Sequence, residues 1–544
     1  MENVDFSSIN LPVATEQKFD GITAGIRTIS ILGIIALSLF LNLWHNDFPL
    51  GYHVDEMKKT SFILTGRQDF KHPILMLNIV RFVNLFLKIK DPQKIVELGR
   101  SITGIFATMA VLVFFLIARS LLPHPFDLFV ALAWGTSPIL VVHAHYLKED
   151  VLFLFFALLS LYTFLSLVKE PTDTKIFWLG LAYGLANSSH YKGILLLPLF
   201  FMGTMFCESG KKFFHVKHVI RAVPIALWVF MAVNYPIFFD TLTLQRGIAF
   251  EYHHVTKVGE GLKIYPLPHF FSFHLVYSIL PGMTLPLTIF ALLALIYCLY
   301  NWKKLLFGEK FVLLYLLIFY FAVELSPLKI FPAYMRYALP VVPGLLYFVC
   351  RGFLMLETAN NFHCSRLIFR SILFLSILFS CQKSFLLTYF LNNDTRERAR
   401  KIAKNLAGKT HFEFYAGAKP GPLTILFSMR SFRRRGIRYL AVSSFWFKRY
   451  EFGAKLKDQI PLIYSRNEYY QRLFQYPYIE VEPAYITFAF SNPLLRIVDI
   501  GKALPDPGLE PIPEDPHGDR ARRRLEREKV KIEMQKRKAI SSKQ

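Results

Sequence analysis

Charge-free apolar windows close to 20 residues long recur along this chain; "VLFLFFALLSLYTFLSLV" at 151–168 is one of them. A helix needs roughly 20 such residues to cross about 30 Å of hydrocarbon, and inside lipid every backbone donor and acceptor must be satisfied within the protein. The fold class predicted is therefore a polytopic α-helical membrane protein. About eleven spans are predicted, at 26–44, 101–119, 127–143, 151–168, 175–190, 192–207, 219–239, 275–300, 311–325, 338–355 and 367–390. Composition agrees: 53% of the 544 residues are hydrophobic and 19% charged, too apolar for a soluble protein of this length.

Residues 1–25 carry four acids in their first twenty positions, and no small-residue cleavage site follows the first apolar run, so they are predicted as a cytoplasmic tail before a retained helix. Alternation then places "ESGKKFFHVKHVIR", "NWKKLLFGEK" and the Arg351 to Arg370 connection inside, where short loops concentrate Lys and Arg. The outer loop 45–100 is basic too. Its middle, "HPILMLNIVRFVNLFLKIK", spaces apolar residues at helical period between Lys and Arg, which predicts an amphipathic helix in the outer interface.

Beyond 390 hydropathy falls. "NNDTRERARKIAKNLAGKT" reads as a helix with a capping box, Asp394 with Glu397, closed by Gly408. The runs "HFEFYA", "RYLAVSS", "YIEVEP" and "LLRIVDI" read as strands. The division predicted is a transmembrane catalytic domain at 26–391, a small α/β soluble domain at 392–502 on the extracytoplasmic side, and a Pro-rich linker with a basic tail at 503–544.

The formal charge of +24 arises partly from eleven Lys or Arg against three Glu in 520–544. With no nucleic-acid-binding signature or zinc-ligand spacing beside it, nucleic acid is not an expected partner; anionic lipid and a phosphorylated substrate are. The cysteines (207, 298, 350, 364 and 381) sit in or beside apolar segments without CxxC spacing, so neither a disulfide framework nor a zinc site is expected.

Four polar groups fall on the outer side of the spans. They are "YHVDE" with Asp55 and Glu56, "HAHYLKED" from His143 to Asp150, the segment from Phe250 to Lys263, and "PAYMRYALPVVP" with Arg336 and Tyr337. Convergence on one face predicts one site. Asp55 and Glu56 equally suit a solvated turn or the positive end of a helix. Asp150, beside hydrocarbon, must be paired or functional, with Lys148 and Arg100 available to neutralise it. Arg336 is either an interfacial anchor or a bidentate grip on phosphate. His143 and His145 are the residues that would suit a divalent metal, with His253 and His254 as further ligands, but two-residue spacing lacks a fixed third ligand, and no metal or other cofactor is required. His72 and His190 read as interface residues.

The order of these motifs resembles the protein O-mannosyltransferase and aminoarabinose-transferase group of C-type (GT-C) glycosyltransferases. The resemblance rests on "YHVDE" after the first span, then "HP", "ELGRSITG" with Arg100, "HYLKEDVLFLFF", "GLANSSHYKGILLLP", "MRYALPVVPGL", and "NDTRERARKIAKNL" followed by "RYLAVSS". It departs at His190, where the group has a lysine before tyrosine; Lys192 lies two residues on. The resemblance implies inverting transfer of a sugar from a polyprenyl-phosphate donor to an acceptor hydroxyl on a protein, lipid or glycan, outside the cytoplasm. Asp55 is then the expected base, with Glu56 expected to position it and Asp150 to orient a basic group or the acceptor, the three making up the expected catalytic set. His72, Arg100, His143, His145, Lys148, His190, Lys192, Arg336 and Tyr337 are the expected substrate-binding residues, and the 240–270 loop the expected lid. The membrane expected is the plasma or inner membrane. The rivals are a transporter or flippase of lipid-linked substrates, which predicts internal repeats and mid-membrane charges, and a non-catalytic scaffold.

Overall fold

The structure is a computed structural model that describes residues 21–207, 212–256, 262–263, 271–326, 328–329, 335–359, 363–419, 421–454, 461–485 and 491–501. The chain divides into two compact units, one formed by Met1–Lys257, Lys263–Thr395 and Pro483–Pro493, the other by Val258–Leu262, Arg396–Glu482 and Leu494–Gln544. The predicted N-terminal tail up to residue 20, the remainder of the predicted lid between 257 and 270 apart from 262–263, and the tail beyond 501 lie outside the described residues.

The larger unit is helical. Helices α1 (Gly21–Leu43), α2 (Val54–Thr65), α3 (Leu75–Leu87), α4 (Pro92–Leu121), α5 (Phe126–Gly135), α6 (Pro138–Ala144), α7 (Glu149–Lys169) and α8 (Asp173–Ser189) supply most of the candidate site. Six described helices are long and apolar enough to cross a bilayer: Gly25–Leu43, Pro92–Leu121, Glu149–Lys169, Val216–Val233, Val341–Thr358 and Arg366–Asn405. Two bent pairs bring the total to eight if each is one span. Helices also occupy the predicted positions at Asp173–Ser189, Leu196–Thr204 and Phe307–Leu325.

Two predicted spans are not continuous. The 127–143 segment breaks between α5 and α6 with a 47° bend, and the 275–300 segment breaks between Met283 and Leu285 with a 113° bend. Both breaks precede a proline, Pro138 and Pro286, whose missing N–H ends the ladder of helix hydrogen bonds. At the first break the freed Thr136 carbonyl accepts from Ser380 Oγ at 3.2 Å and Ser384 Oγ at 2.7 Å. Neighbouring hydroxyls thus satisfy backbone that lipid cannot.

Small residues set how closely the helices approach. In "GLAYG" a Cβ on Gly180 or Gly184 would lie 2.7 Å from the carbonyl oxygen of Ala222 or Ala226, so α8 meets Lys212–Val233 backbone to backbone. Asn42, fully buried at the end of α1, donates to Ser38 Oγ and to Thr108 Oγ1 of α4, each at 3.2 Å. The amphipathic prediction for 72–90 corresponds to α3, which buries Leu75, Met76 and Val80 and turns Phe82, Leu85 and Phe86 outward.

In the smaller unit all four predicted strand runs join one sheet, in the order Lys409–Phe412, Ile437–Ser443, Leu495–Asp499, Tyr478–Val481. The first pair is parallel and the others antiparallel. Beneath it Glu413 is fully buried and accepts from Ser443 N at 2.8 Å, Thr424 Oγ1 at 3.0 Å and Tyr470 Oη at 3.0 Å. Burial outweighs these donors and pushes its carboxyl up to about 7. A carboxyl whose folded value lies above its unfolded one stabilises when protonated, fully below about 4.5 and less as pH rises through about 7. The melting temperature of this unit should therefore fall between pH 5 and 8, and Glu413→Gln should flatten that fall, as read by circular dichroism at stepped pH.

Candidate active site

Adjacent positions on a helix point about 100° apart, and this separates the two acids that open α2. Glu56 lies with Thr60 and Ile63 on the buried face. Asp55 shares the other face with Lys59, one turn on. His53 caps the helix, its Nδ1 accepting from Asp55 N at 3.3 Å, and Gly66 closes it in the left-handed conformation at φ 72°.

Glu56 and Arg100 form a bidentate ion pair at 3.0 and 2.6 Å, both side chains inaccessible to solvent. Glu56 Oε1 also accepts from Leu147 N at 2.8 Å. Arg100 Nη1 donates to the carbonyls of Asn46 at 2.9 Å and Phe48 at 2.5 Å, while its guanidinium lies over the Phe48 ring. This one pair ties the 46–56 segment, α4 and the turn before α7 together. His145 is equally committed, with both ring nitrogens against the carbonyls of Val141 and Trp44. Glu56, expected among the catalytic acids, and Arg100 and His145, expected to bind substrate, thus hold the site instead of lining it.

Asp55 pairs with Lys148, and its side chain is 47% exposed where that of Lys148 is 6% exposed. Burial by itself raises the Asp55 carboxyl, but Lys148, His53 and Arg336 hold it well below the usual carboxylate range. The next two residues of the chain continue the pattern. Glu149 pairs with Lys59 of α2 and, at 2.9 Å, with His72 Nε2. Asp150 lies 3.6 Å from Lys192 Nζ and 3.7 Å from Arg336 Nε. Three consecutive residues at the start of α7 therefore gather side chains from α2, the loop before α3, the turn after α8 and the 335–338 turn.

The remaining expected residues join this cluster. His190 packs against His72, ring centroids 4.9 Å apart, and its Nδ1 accepts from Lys192 N at 3.2 Å. Tyr337 lies under Lys192 Nζ at 4.4 Å from its centroid, with Arg336 at 5.5 Å. His143 is buried in α6, within the electrostatic reach of Asp150 and Arg336, and its Nε2 has no hydrogen-bond partner among the described residues. His253 and His254 belong to the helix Thr241–Thr256, but their side chains lie outside the described residues. Among the described residues, no three His, Cys, Asp or Glu side chains are grouped as metal ligands.

Sequence reasoning passed over Lys59 and Glu149. The signal for Lys59 was its place four residues after Asp55, and for Glu149 its place inside "KED". Lys59, Lys148, Lys192 and Arg336 against Asp55, Glu149 and Asp150 set four basic side chains against three carboxylates, a balance suited to an anionic phosphate. Burial and Lys148 bring the Lys59 amine down to about 7.

Residues 71–235 match the family model of dolichyl-phosphate-mannose-protein mannosyltransferase. No curated protein matches the chain by sequence. Among solved structures the fold is similar to the archaeal oligosaccharyltransferase AglB from Archaeoglobus fulgidus in complex with an inhibitory peptide and a dolichol-phosphate. That similarity has 11% identity and a TM-score of 0.53, and covers 87% of this chain and 75% of that one. The apo form of the Archaeoglobus fulgidus oligosaccharyltransferase is similar at 12% identity and a TM-score of 0.52, covering 86% and 74%. ArnT from Cupriavidus metallidurans bound to undecaprenyl phosphate aligns over 88% of this chain and 99% of its own, at 12% identity and a TM-score of 0.47.

Removing one member of the buried pair leaves an uncompensated charge in the protein interior. Arg100→Met should cost about 3–5 kcal/mol, read as a lowered thermal midpoint in detergent, and the double variant Glu56→Gln/Arg100→Met should recover part of that loss.

Proposed function

We propose that the chain, whose residues 71–235 match a protein-mannosyltransferase family model and whose fold is similar to that of an archaeal oligosaccharyltransferase, is a membrane glycosyltransferase that transfers a sugar from a polyprenyl-phosphate carrier to an acceptor hydroxyl, with inversion, on the extracytoplasmic face of the plasma or inner membrane. The observation that carries this reading is the pairing of one half-exposed carboxylate, Asp55, with a cluster rich in cations at the ends of membrane helices. The acceptor protein, lipid or glycan arrives from water while the donor stays anchored in lipid, so their reaction needs a base at the boundary. The orientation is supported by the basic short loops at the opposite helix ends.

In this reading Asp55 takes the acceptor proton as the acceptor oxygen attacks the anomeric carbon. Phosphate leaves as a weak base and requires no strong acid. Its developing charge is met by Lys192 and Arg336, which approach Asp150 at 3.6 and 3.7 Å, longer than a normal hydrogen bond, and can turn towards it. Glu149 fixes Lys59 and His72 beside that position, and His143 and His190 lie close enough to bond sugar hydroxyls. The helix Thr241–Thr256 rests on the loop before α3: a Cβ on Gly247 would lie 2.5 Å from the Asp69 carbonyl oxygen, and Lys71 sits over Phe250. That contact suits the proposed lid. No step of this reading calls on a metal ion.

Asp55→Asn should lower transfer by about 10²–10⁴-fold while leaving the protein folded. The measurement is mass spectrometry of envelope glycans, lipids and proteins from cells carrying either form, and transfer retained by the variant removes Asp55 as base. Lys192→Gln and Arg336→Gln should each lower kcat/KM for the lipid-linked donor on the order of tenfold or more, measured by transfer kinetics with purified protein.

A further inference from the structure

The ion pair on Asp55 is at odds with its work as a base. A carboxylate held by a buried ammonium is stabilised in its charged form and resists taking a proton. Lys148, in turn, has Asp55 as its ion-pair partner among the described residues. The two carboxylates that follow Lys148 in the chain are otherwise committed, Glu149 to Lys59 and His72, and Asp150 to Lys192 and Arg336. Lys148 stands as the N-cap residue of α7 in extended backbone, φ −139° and ψ 150°, and its side chain makes no capping bond there. The ammonium is thus free to change partner without breaking the helix start.

Its surroundings favour such a change. Burial first, and Arg336 second, push the Lys148 amine below the usual lysine range, while Asp55 and Asp150 pull it up. It is a buried cation beside another cation, held by one half-exposed acid. A phosphate between Lys192 and Arg336 would lie next to Lys148 and offer it several charged oxygens, more than Asp55 can.

Resting on the reading of Asp55 as base, we propose that Lys148 is a donor-operated switch: paired with Asp55 in the donor-free protein, it moves onto the donor phosphate when the carrier binds, and so leaves Asp55 unpaired to take the acceptor's proton. The groups facing Asp55 are then His53, which caps α2, Lys59 from α2, Lys71 from the loop before α3 and Arg336 from the 335–338 turn, of which Arg336 also turns to the phosphate. In the transfer step the acceptor O–H proton passes to the Asp55 carboxylate, and the acceptor oxygen forms the bond to the anomeric carbon. The bond from that carbon to the phosphate oxygen breaks, its electron pair staying on the phosphate beside Lys148. Asp55 returns its proton to water at its exposed side and recovers Lys148 when the carrier departs. The base is thereby competent only with donor in place, which orders binding as donor before acceptor.

The test is carbodiimide labelling of Asp55 in the purified full chain in lipid nanodiscs, quantified on its peptide by mass spectrometry, with undecaprenyl phosphate as the probe. Wild type should label slowly and several-fold faster once undecaprenyl phosphate is added. Lys148→Gln should label fast from the outset and gain nothing from the probe, and Lys148→Arg, which keeps the charge, should respond as wild type does. Wild-type labelling that is unchanged or slowed at saturating undecaprenyl phosphate overturns the switch, as does an equal rise with undecaprenol lacking phosphate. If Lys148→Gln does not fold, the wild-type and Lys148→Arg responses decide alone. Failure here is separable from failure of the base assignment: a flat labelling response with Asp55→Asn inactive removes the switch and keeps the base, whereas an active Asp55→Asn removes the base.

Discussion

The ion pair between Glu56 and Arg100 is the constraint on which the site depends. Two charges with no solvent contact are costly to bury and are held by four bonds from the guanidinium and a backbone N–H on the carboxylate. The partners come from the start of α2, the third turn of α4, the 46–48 segment and the turn before α7. Fixing those four pieces fixes the direction of Asp55, one residue away, and of Lys148, one residue after the bonded amide. The geometry of the neighbouring cluster is built on this buried pair.

Around that anchor the site is assembled by adjacency. Lys148, Glu149 and Asp150 each face a different direction at the start of α7, and each takes a different set of partners. One short stretch of chain thereby sets one cation against Asp55 and two carboxylates among cations that are distant in sequence. Basic side chains outnumber the acids by one, while the local pairs keep the cluster from being an unpaired charge in apolar surroundings. Breaks in the predicted spans belong to the same economy: α6 exists as a separate short helix, and it is this break that carries His143 towards the cluster while Ser380 and Ser384 satisfy the freed carbonyl.

Much of the architecture was legible because its causes are local. Apolar length marks a membrane helix, period two marks a strand, and the four strand runs after residue 410 all entered one sheet. The outward apolar face of α3 followed from spacing alone. Where prediction fell short, the deciding term was long-range. The spans predicted at 127–143 and 275–300 each hold a break that apolar length does not reveal, because a proline ends the helix ladder and, at the first, neighbouring hydroxyls satisfy the freed carbonyl. Grouping Glu56 with Asp55, and Arg100 with the phosphate ligands, ignored that the two side chains find each other across 44 residues.

The sequence by itself determined that this chain lives in a bilayer as a helical bundle with a small α/β unit, and that its acids, histidines and basic residues collect at the ends of its spans. Those properties depend on hydrophobic length, periodicity and order, which a single strand of letters carries in full. Which acid is buried and which is open, and which cations hold the frame and which gather at the cluster, only the tertiary structure decided. Charge pairing depends on distance in space, and neighbours such as Asp55 and Glu56 take opposite roles because a helix turns about 100° between them.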